Sequence, residues 1–176
     1  METKLNIFAP FFDDPHKDFT IRELSRMIKI NHTTVRQYLV AFVKEGFLQK
    51  KNGHIYPVYS SVLSKKYLNL KLYYNLEKIR ESKIVEYIEK KFDFPVIVLF
   101  GSYAKAQDRK DSDIDICVIS NIVKELSFHS SQKILCKPVQ WHLFSEKEFD
   151  NLKKKNPELV NNIANGIVLS GELKIL

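Results

Sequence analysis

The chain has 176 residues, 44% hydrophobic and 28% charged, enough to build one ordinary domain or two small ones and too apolar for a disordered tail. No apolar run reaches the roughly 18 to 20 residues that cross a bilayer, and Met1–Pro10 lacks the basic start, apolar core and small-residue cleavage site of a secretory signal, so a cytoplasmic protein with no membrane partner is expected. Cys117 and Cys136 are too few to staple a secreted fold and show no zinc spacing. The formal charge of +7 favours polyanionic partners, and its excess lies in the first half: +3 over residues 1–60, +4 over 61–92 and zero over 93–176.

After a short apolar stretch from Leu5 to Phe12, Thr20 is placed to cap a helix starting at Ile21, with Glu23 completing a capping box. That helix runs to about Met27 and buries Leu24 and Ile28. Residues 28–31 turn the chain. A second helix opens near His32 or Thr33, with Val35, Leu39, Phe42 and Val43 at helical spacing, and Gly46 closes it. Short helix, tight turn and longer helix is the order of a helix-turn-helix, whose second helix enters a major groove by its N-terminal end. Two extended runs, Phe47–Lys51 and His54–Tyr59, flank Asn52-Gly53, the favoured pair for a two-residue hairpin turn.

On these residues the stretch Phe19–Tyr59 resembles the winged helix-turn-helix family of transcription regulators. The resemblance implies a partner in double-stranded DNA. It places Thr33, Thr34, Arg36 and Gln37 on the exposed start of the recognition helix, and Lys50, Lys51 and His54 on the wing. The same fold also serves as a docking or dimerisation module. A recognition helix whose only basic residues are Arg36 and Lys44 suits a homodimer reading two half-sites.

Residues 62–92 contain no Gly or Pro and carry Leu63, Tyr67, Leu70, Tyr74, Ile84, Tyr87 and Ile88 at spacings of three or four. This predicts helix, broken near residues 81–83, acting as connector and interface.

Beyond it, Val96-Ile97-Val98-Leu99-Phe100 reads as a buried strand ending abruptly in Gly101-Ser102, with Tyr103–Ala106 favouring helix. Backbone N–H groups at such a turn receive phosphate oxygens, glycine permits close approach, and Ser102 adds a hydroxyl. Ten residues on, Ser112-Asp113-Ile114-Asp115-Ile116 begins a second strand. Alternation along it would project Asp113 and Asp115 together, about 7 Å apart at roughly 3.3 Å per residue, while Ile114 and Ile116 face the core. Two such carboxylates suit a hard cation that also grips phosphates. Cys117 reads as core and Trp141 as part of the sheet's packed face.

The constellation Leu99-Phe100-Gly101-Ser102-Tyr103-Ala104-Lys105 through Asp113-Ile114-Asp115 resembles the minimal nucleotidyltransferases of the DNA polymerase beta superfamily, closely over residues 95–119. Asn156-Pro157-Glu158-Leu159 and Gly166–Gly171 look like that group's closing helix and short strand. The resemblance implies an α+β chain: a winged helix over 1–60, a helical connector over 61–92, and over 93–176 a polymerase-beta-like fold with a mixed sheet flanked by helices. It implies transfer of a nucleoside monophosphate from a nucleoside triphosphate, ATP foremost, to a protein or small-molecule hydroxyl with Mg²⁺ or Mn²⁺. Gly101, Ser102 and Lys105 would hold the triphosphate, and Asp113 and Asp115 the metal. Members of the group often act as antitoxins that modify a partner toxin, so a protein partner is also implied.

Two departures from the family pattern stand out. Ala106 takes a usual glycine position. The family's third carboxylate, on a later strand, finds no equivalent in Val139-Gln140-Trp141-His142-Leu143-Phe144, whose alternation aims Gln140 and His142 at the site. His142 could accept a proton, bind metal, or be a remnant of lost catalysis. Glu146 and Glu148 sit where helix starts commonly carry acids. Either a catalyst or a DNA-binding regulator that binds nucleotide or a partner without turnover is consistent with these residues.

Overall fold

The structure, a computed structural model, describes residues 2–52, 55–122, 124 and 135–174. It divides into two compact units, Met1–Lys71 and Leu72–Leu176.

In the first unit the apolar stretch near the start is a helix, α1 (Glu2–Asp13), followed by β1 (Phe19–Thr20), α2 (Ile21–Ile28), α3 (His32–Lys44), β2 (Leu48–Lys51) and β3 (Val58–Ser61). Thr20 caps α2 by accepting from the Glu23 amide, while the Glu23 carboxylate is taken by Lys17 at 2.7 Å rather than closing a box. Lys29 ends α2 in the left-handed region, and Asn31 caps α3 by accepting from the Thr34 amide. Gly46 follows α3 with φ +75°, a conformation that glycine adopts without a Cβ penalty. Val35, Leu39 and Phe42 are buried, and Phe42 meets an aromatic cluster donated by α1: Phe8 lies 4.2 Å from Phe42 and 5.2 Å from Phe12, centroid to centroid. The start of α4 (Lys65–Ser82) completes this core through Tyr67, whose hydroxyl donates to the Phe11 carbonyl at 2.6 Å.

The hairpin differs from its sequence expectation. Lys51 pairs with Val58, so six residues, 52–57, connect the strands instead of a two-residue turn at Asn52-Gly53. Gly53 and His54 lie outside the described residues. Pro57 cannot donate to a ladder, which accounts for β3 starting only at Val58. β1, too short to read from sequence, pairs with the other edge of β3 to give the order β1-β3-β2.

The second unit is built on a four-stranded mixed sheet in the order β6-β5-β4-β7, where β4 is Val96–Phe100, β5 Ile114–Ile119, β6 Val139–Phe144 and β7 Ile167–Ser170. β4 runs antiparallel to β5 and β7, and β5 runs parallel to β6. The end of α4 and α5 (Ile84–Phe92), parted at Lys83 with φ +56°, cover one face with Ile79, Ile84, Ile88 and Phe92 against Ile97, Leu99, Ile114, Ile116 and Val118. Trp141 packs on that face, as its strand parity required. The other face, carrying Val98, Phe100, Cys117 and Ile119, is covered by α7 (Glu146–Lys155) and α8 (Pro157–Ala164) through Phe149, Val160 and Ile163. Burial pushes the Cys117 thiol up to about 12, so it is an inert core group. Among the described residues no helix is long and apolar enough to cross a membrane.

Candidate functional site

Antiparallel pairing of β4 with β5 places the last residue of one strand beside the first residues of the other: Phe100 pairs with Asp115. The chain then turns sharply at Gly101 into α6, the single turn Gly101–Ala104. Gly101 has φ +72°, and a Cβ built on it would stand 3.1 Å from Asp115 Cγ and closer still to Oδ2. The carboxylate of Asp115 therefore lies directly over the glycine, in space that only the missing side chain leaves open. Ser102 is half-buried on the same turn, and its carbonyl accepts from the amides of Lys105 and Gln107. Lys105 is exposed at the end of α6.

Asp115 and His142 share the sheet face of Phe100 and Cys117. His142 pairs with Cys117 on the parallel neighbour β6, its ring meets Phe100 edge-on at 5.0 Å, and its Nε2 lies 3.7 Å from Asp115 Oδ1. That separation is too long for a hydrogen bond, and Nε2 is buried without a hydrogen-bond partner. Gln140 pairs directly with Asp115 and is exposed.

Asp113 requires a correction. The strand begins at Ile114, so Asp113 lies one residue outside it, exposed, and strand alternation does not set its direction. It is still close enough for its charge to act on Asp115. The Asp115 carboxyl is held above its ordinary value of 3.8, first by burial and then by the like charge of Asp113, against the opposing pull of His142. The native state thus holds a proton that the unfolded chain has lost, and stability falls as pH rises from 3.8 through the raised native value. Asp115→Asn is accordingly expected to unfold at higher denaturant than the parent near neutral pH, with the difference closing below 3.8; equal midpoints at both pH values would contradict this.

Asp113 and Asp115 offer two sets of hard oxygen atoms. Among the described residues no group of three or more His, Cys, Asp and Glu could hold a metal by itself. The donor set suits a hard divalent cation that takes one or two carboxylates and fills its remaining positions with phosphate oxygens and water. A closed zinc cage would not fit. Ala106, at φ +54° and buried, takes up the left-handed conformation that favours glycine, at a cost of about 1 kcal/mol. Glu148 accepts from the Ser145 amide and hydroxyl in a capping box, and these bonds lower its carboxyl's pKa. It is a helix cap, as its position suggested.

In the first unit, Thr33, Arg36 and Gln37 are exposed and Thr34 is half-buried. Thr33 and Arg36 line a cleft of about 330 Å³ with Thr20, Arg22, His32 and Tyr56. The Arg22 guanidinium sits 4.9 Å from the Tyr56 ring centroid. Arg22, His32 and Tyr56 join the cleft although no sequence pattern marks them, since residues 22, 32 and 56 meet only in the folded unit. Lys50 is exposed on β2, and Lys51 pairs with Asp18 at 3.2 Å.

A glycine turn, an acid pressed against it and a second acid one residue before the strand stand together at the junction of two antiparallel strands. The sequence matches the polymerase beta nucleotidyltransferase family over residues 82–172, just over half of the chain. The chain belongs to that family, whose members generally use a nucleoside triphosphate and a divalent metal. No curated protein matches it.

Proposed function

We propose that the chain moves a nucleoside monophosphate, AMP foremost, from a nucleoside triphosphate to a hydroxyl of a protein or small molecule. The observation that carries this reading is the seating of the Asp115 carboxylate over Gly101. Gly101 and Ser102 hold the triphosphate by backbone N–H groups and hydroxyl, and Lys105 contributes positive charge. Asp113 and Asp115 would hold Mg²⁺ or Mn²⁺, which would offset the charge on the phosphates. The acceptor oxygen attacks the α-phosphorus, the bond to the α–β bridging oxygen breaks, and pyrophosphate leaves. His142, whose Nε2 lies 3.7 Å from Asp115 Oδ1, takes the acceptor's proton. Incubation with each nucleoside triphosphate, Mn²⁺ and candidate acceptors should release pyrophosphate in step with labelling of the acceptor. Tight triphosphate binding without release, across protein and small-molecule hydroxyls, would assign the site to sensing instead. That second reading is favoured by the absence of any acid from β6.

The N-terminal unit is proposed as a winged helix that docks on double-stranded DNA, with α3 as its recognition helix and β2 and β3 as its wing. Support comes from the cleft at the helix starts: Arg22 and Arg36 line it and make no ion pair among the described residues. With about four phosphate contacts, affinity for DNA from the gene's own promoter should fall about 10²-fold between about 50 and 200 mM salt, and Arg22→Ala or Arg36→Ala should each lower the slope by about one. Salt-independent or absent binding would contradict a DNA role. An appended DNA reader also suits an antitoxin-like role, with a partner protein as acceptor and a homodimer on two half-sites.

A further inference from the structure

The connection between α6 and β5 reads Lys105-Ala106-Gln107-Asp108-Arg109-Lys110-Asp111-Ser112-Asp113 and has little apolar surface with which to anchor itself. It is nevertheless pinned from beneath. Asp108 is 2% exposed and Lys137 8%, and Lys137 Nζ stands 3.5 Å from Asp108 Oδ2. Asn75 on α4 donates to Asp108 Oδ1 at 2.9 Å and to the Tyr103 carbonyl at 3.0 Å. Lys137 also donates to the carbonyls of Arg109 and Lys110. The tethered turn continues to Ser112, whose hydroxyl accepts from the Arg109 amide at 2.9 Å and whose own amide donates to the Arg109 carbonyl at 3.0 Å. The next residue is Asp113.

We propose that Lys137 is a positioning residue for nucleotidyl transfer: its buried ammonium ties the Arg109 and Lys110 carbonyls to Asp108 and so sets where Asp113 stands beside Asp115. The loop end that carries Asp113 lies one residue before β5, and beneath the loop Asn75 and Lys137 both hold Asp108 while Lys137 alone also reaches the Arg109 and Lys110 carbonyls among the contacts described. Stability alone is a weak reason for such a group, since a buried ion pair is commonly replaced by neutral residues of similar volume with little or no loss. Residues that hold metal ligands in place typically change metal affinity by 10- to 100-fold when removed. What Lys137 positions rests on the nucleotidyltransferase reading; that it tethers the loop does not.

The test uses the full chain carrying Lys137→Met, and a second variant joining it to Asp108→Asn so that no carboxylate is left short of its ammonium while Asn75 keeps an acceptor. Two quantities are read: hydrogen exchange at the Arg109 and Ser112 amides, and Mn²⁺ affinity in the presence of a non-hydrolysable triphosphate analogue. The double variant is expected to stay folded, to exchange those two amides at least about 10-fold faster, and to bind Mn²⁺ about 10-fold more weakly. Unchanged exchange, unchanged Mn²⁺ affinity, or loss of the folded state in the double variant each overturns the proposal, the last because Lys137 would then serve the fold as a whole. Parent protein whose Mn²⁺ binding is indifferent to Asp113→Asn overturns the nucleotidyltransferase reading itself and the proposal with it, a result that the exchange data separate from a failed tether.

Discussion

Replacing Gly101 with alanine is expected to cost the protein about 10²-fold or more in metal-dependent triphosphate affinity, with a loss of stability of about 1 to 2 kcal/mol. Two effects combine. At φ +72° an L side chain meets its own backbone. The new methyl would also stand 3.1 Å from Asp115 Cγ, with Oδ2 nearer still, so the carboxylate must rotate away from the turn it covers. The stability term alone is survivable for a domain of ordinary stability. The displaced acid is not replaceable, because among the described residues no further acid stands by to complete a metal site. Isothermal titration with Mn²⁺ and a triphosphate analogue, paired with denaturant unfolding, reads the two effects apart; parent-like affinity in a folded Gly101→Ala protein would contradict the geometry.

The second large effect falls on His142. Removing a general base typically lowers a rate by about 10² to 10⁴, and His142→Ala should do so while leaving triphosphate affinity close to the parent's. The imidazole rests edge-on to Phe100 with its Nε2 3.7 Å from Asp115 Oδ1, beside the acid proposed to hold the metal. A ring serving only as filler in the sheet face would give the opposite pattern, lost stability with an unchanged rate per folded molecule. Single-turnover transfer to a hydroxyl acceptor, normalised to the folded fraction, distinguishes the two. An unaltered rate would remove His142 from the chemistry.

How far the sequence disclosed these features depended on the distance over which each is determined. The strand through Phe100, the turn at Gly101 and the strand from Ile114 are local: β-branched runs and a glycine declare them, and Ile114 and Ile116 are fully buried as alternation required. The cap at Thr20 is equally local. Asp113-Ile114-Asp115-Ile116 alternates polar and apolar and so reads as strand from Asp113, whereas the ladder starts one residue later, where the Ile114 amide finds the Pro138 carbonyl. Asn52-Gly53 is a strong turn signal, yet pairing starts only at Val58, after Pro57, so the connection is longer than the pair implies. Least legible was the tether under the 105–113 loop. Its partners lie 33 residues apart in Asn75 and Asp108 and 28 apart in Lys137 and Arg109, and a lone lysine before a strand carries no pattern that would mark it as buried.

The most direct test of the account is the Mn²⁺ dependence of triphosphate binding in the parent protein and in the joint variant Asp113→Asn with Asp115→Asn. Both substitutions keep side-chain shape and remove charge. The parent should bind a triphosphate analogue far more tightly with Mn²⁺ than without it. The variant should lose that metal dependence while its circular dichroism and its DNA affinity stay as they were. Metal-dependent binding that survives intact in the variant would mean that the cation is held elsewhere, and the site at the junction of β4 and β5 would not be the one that handles nucleotide.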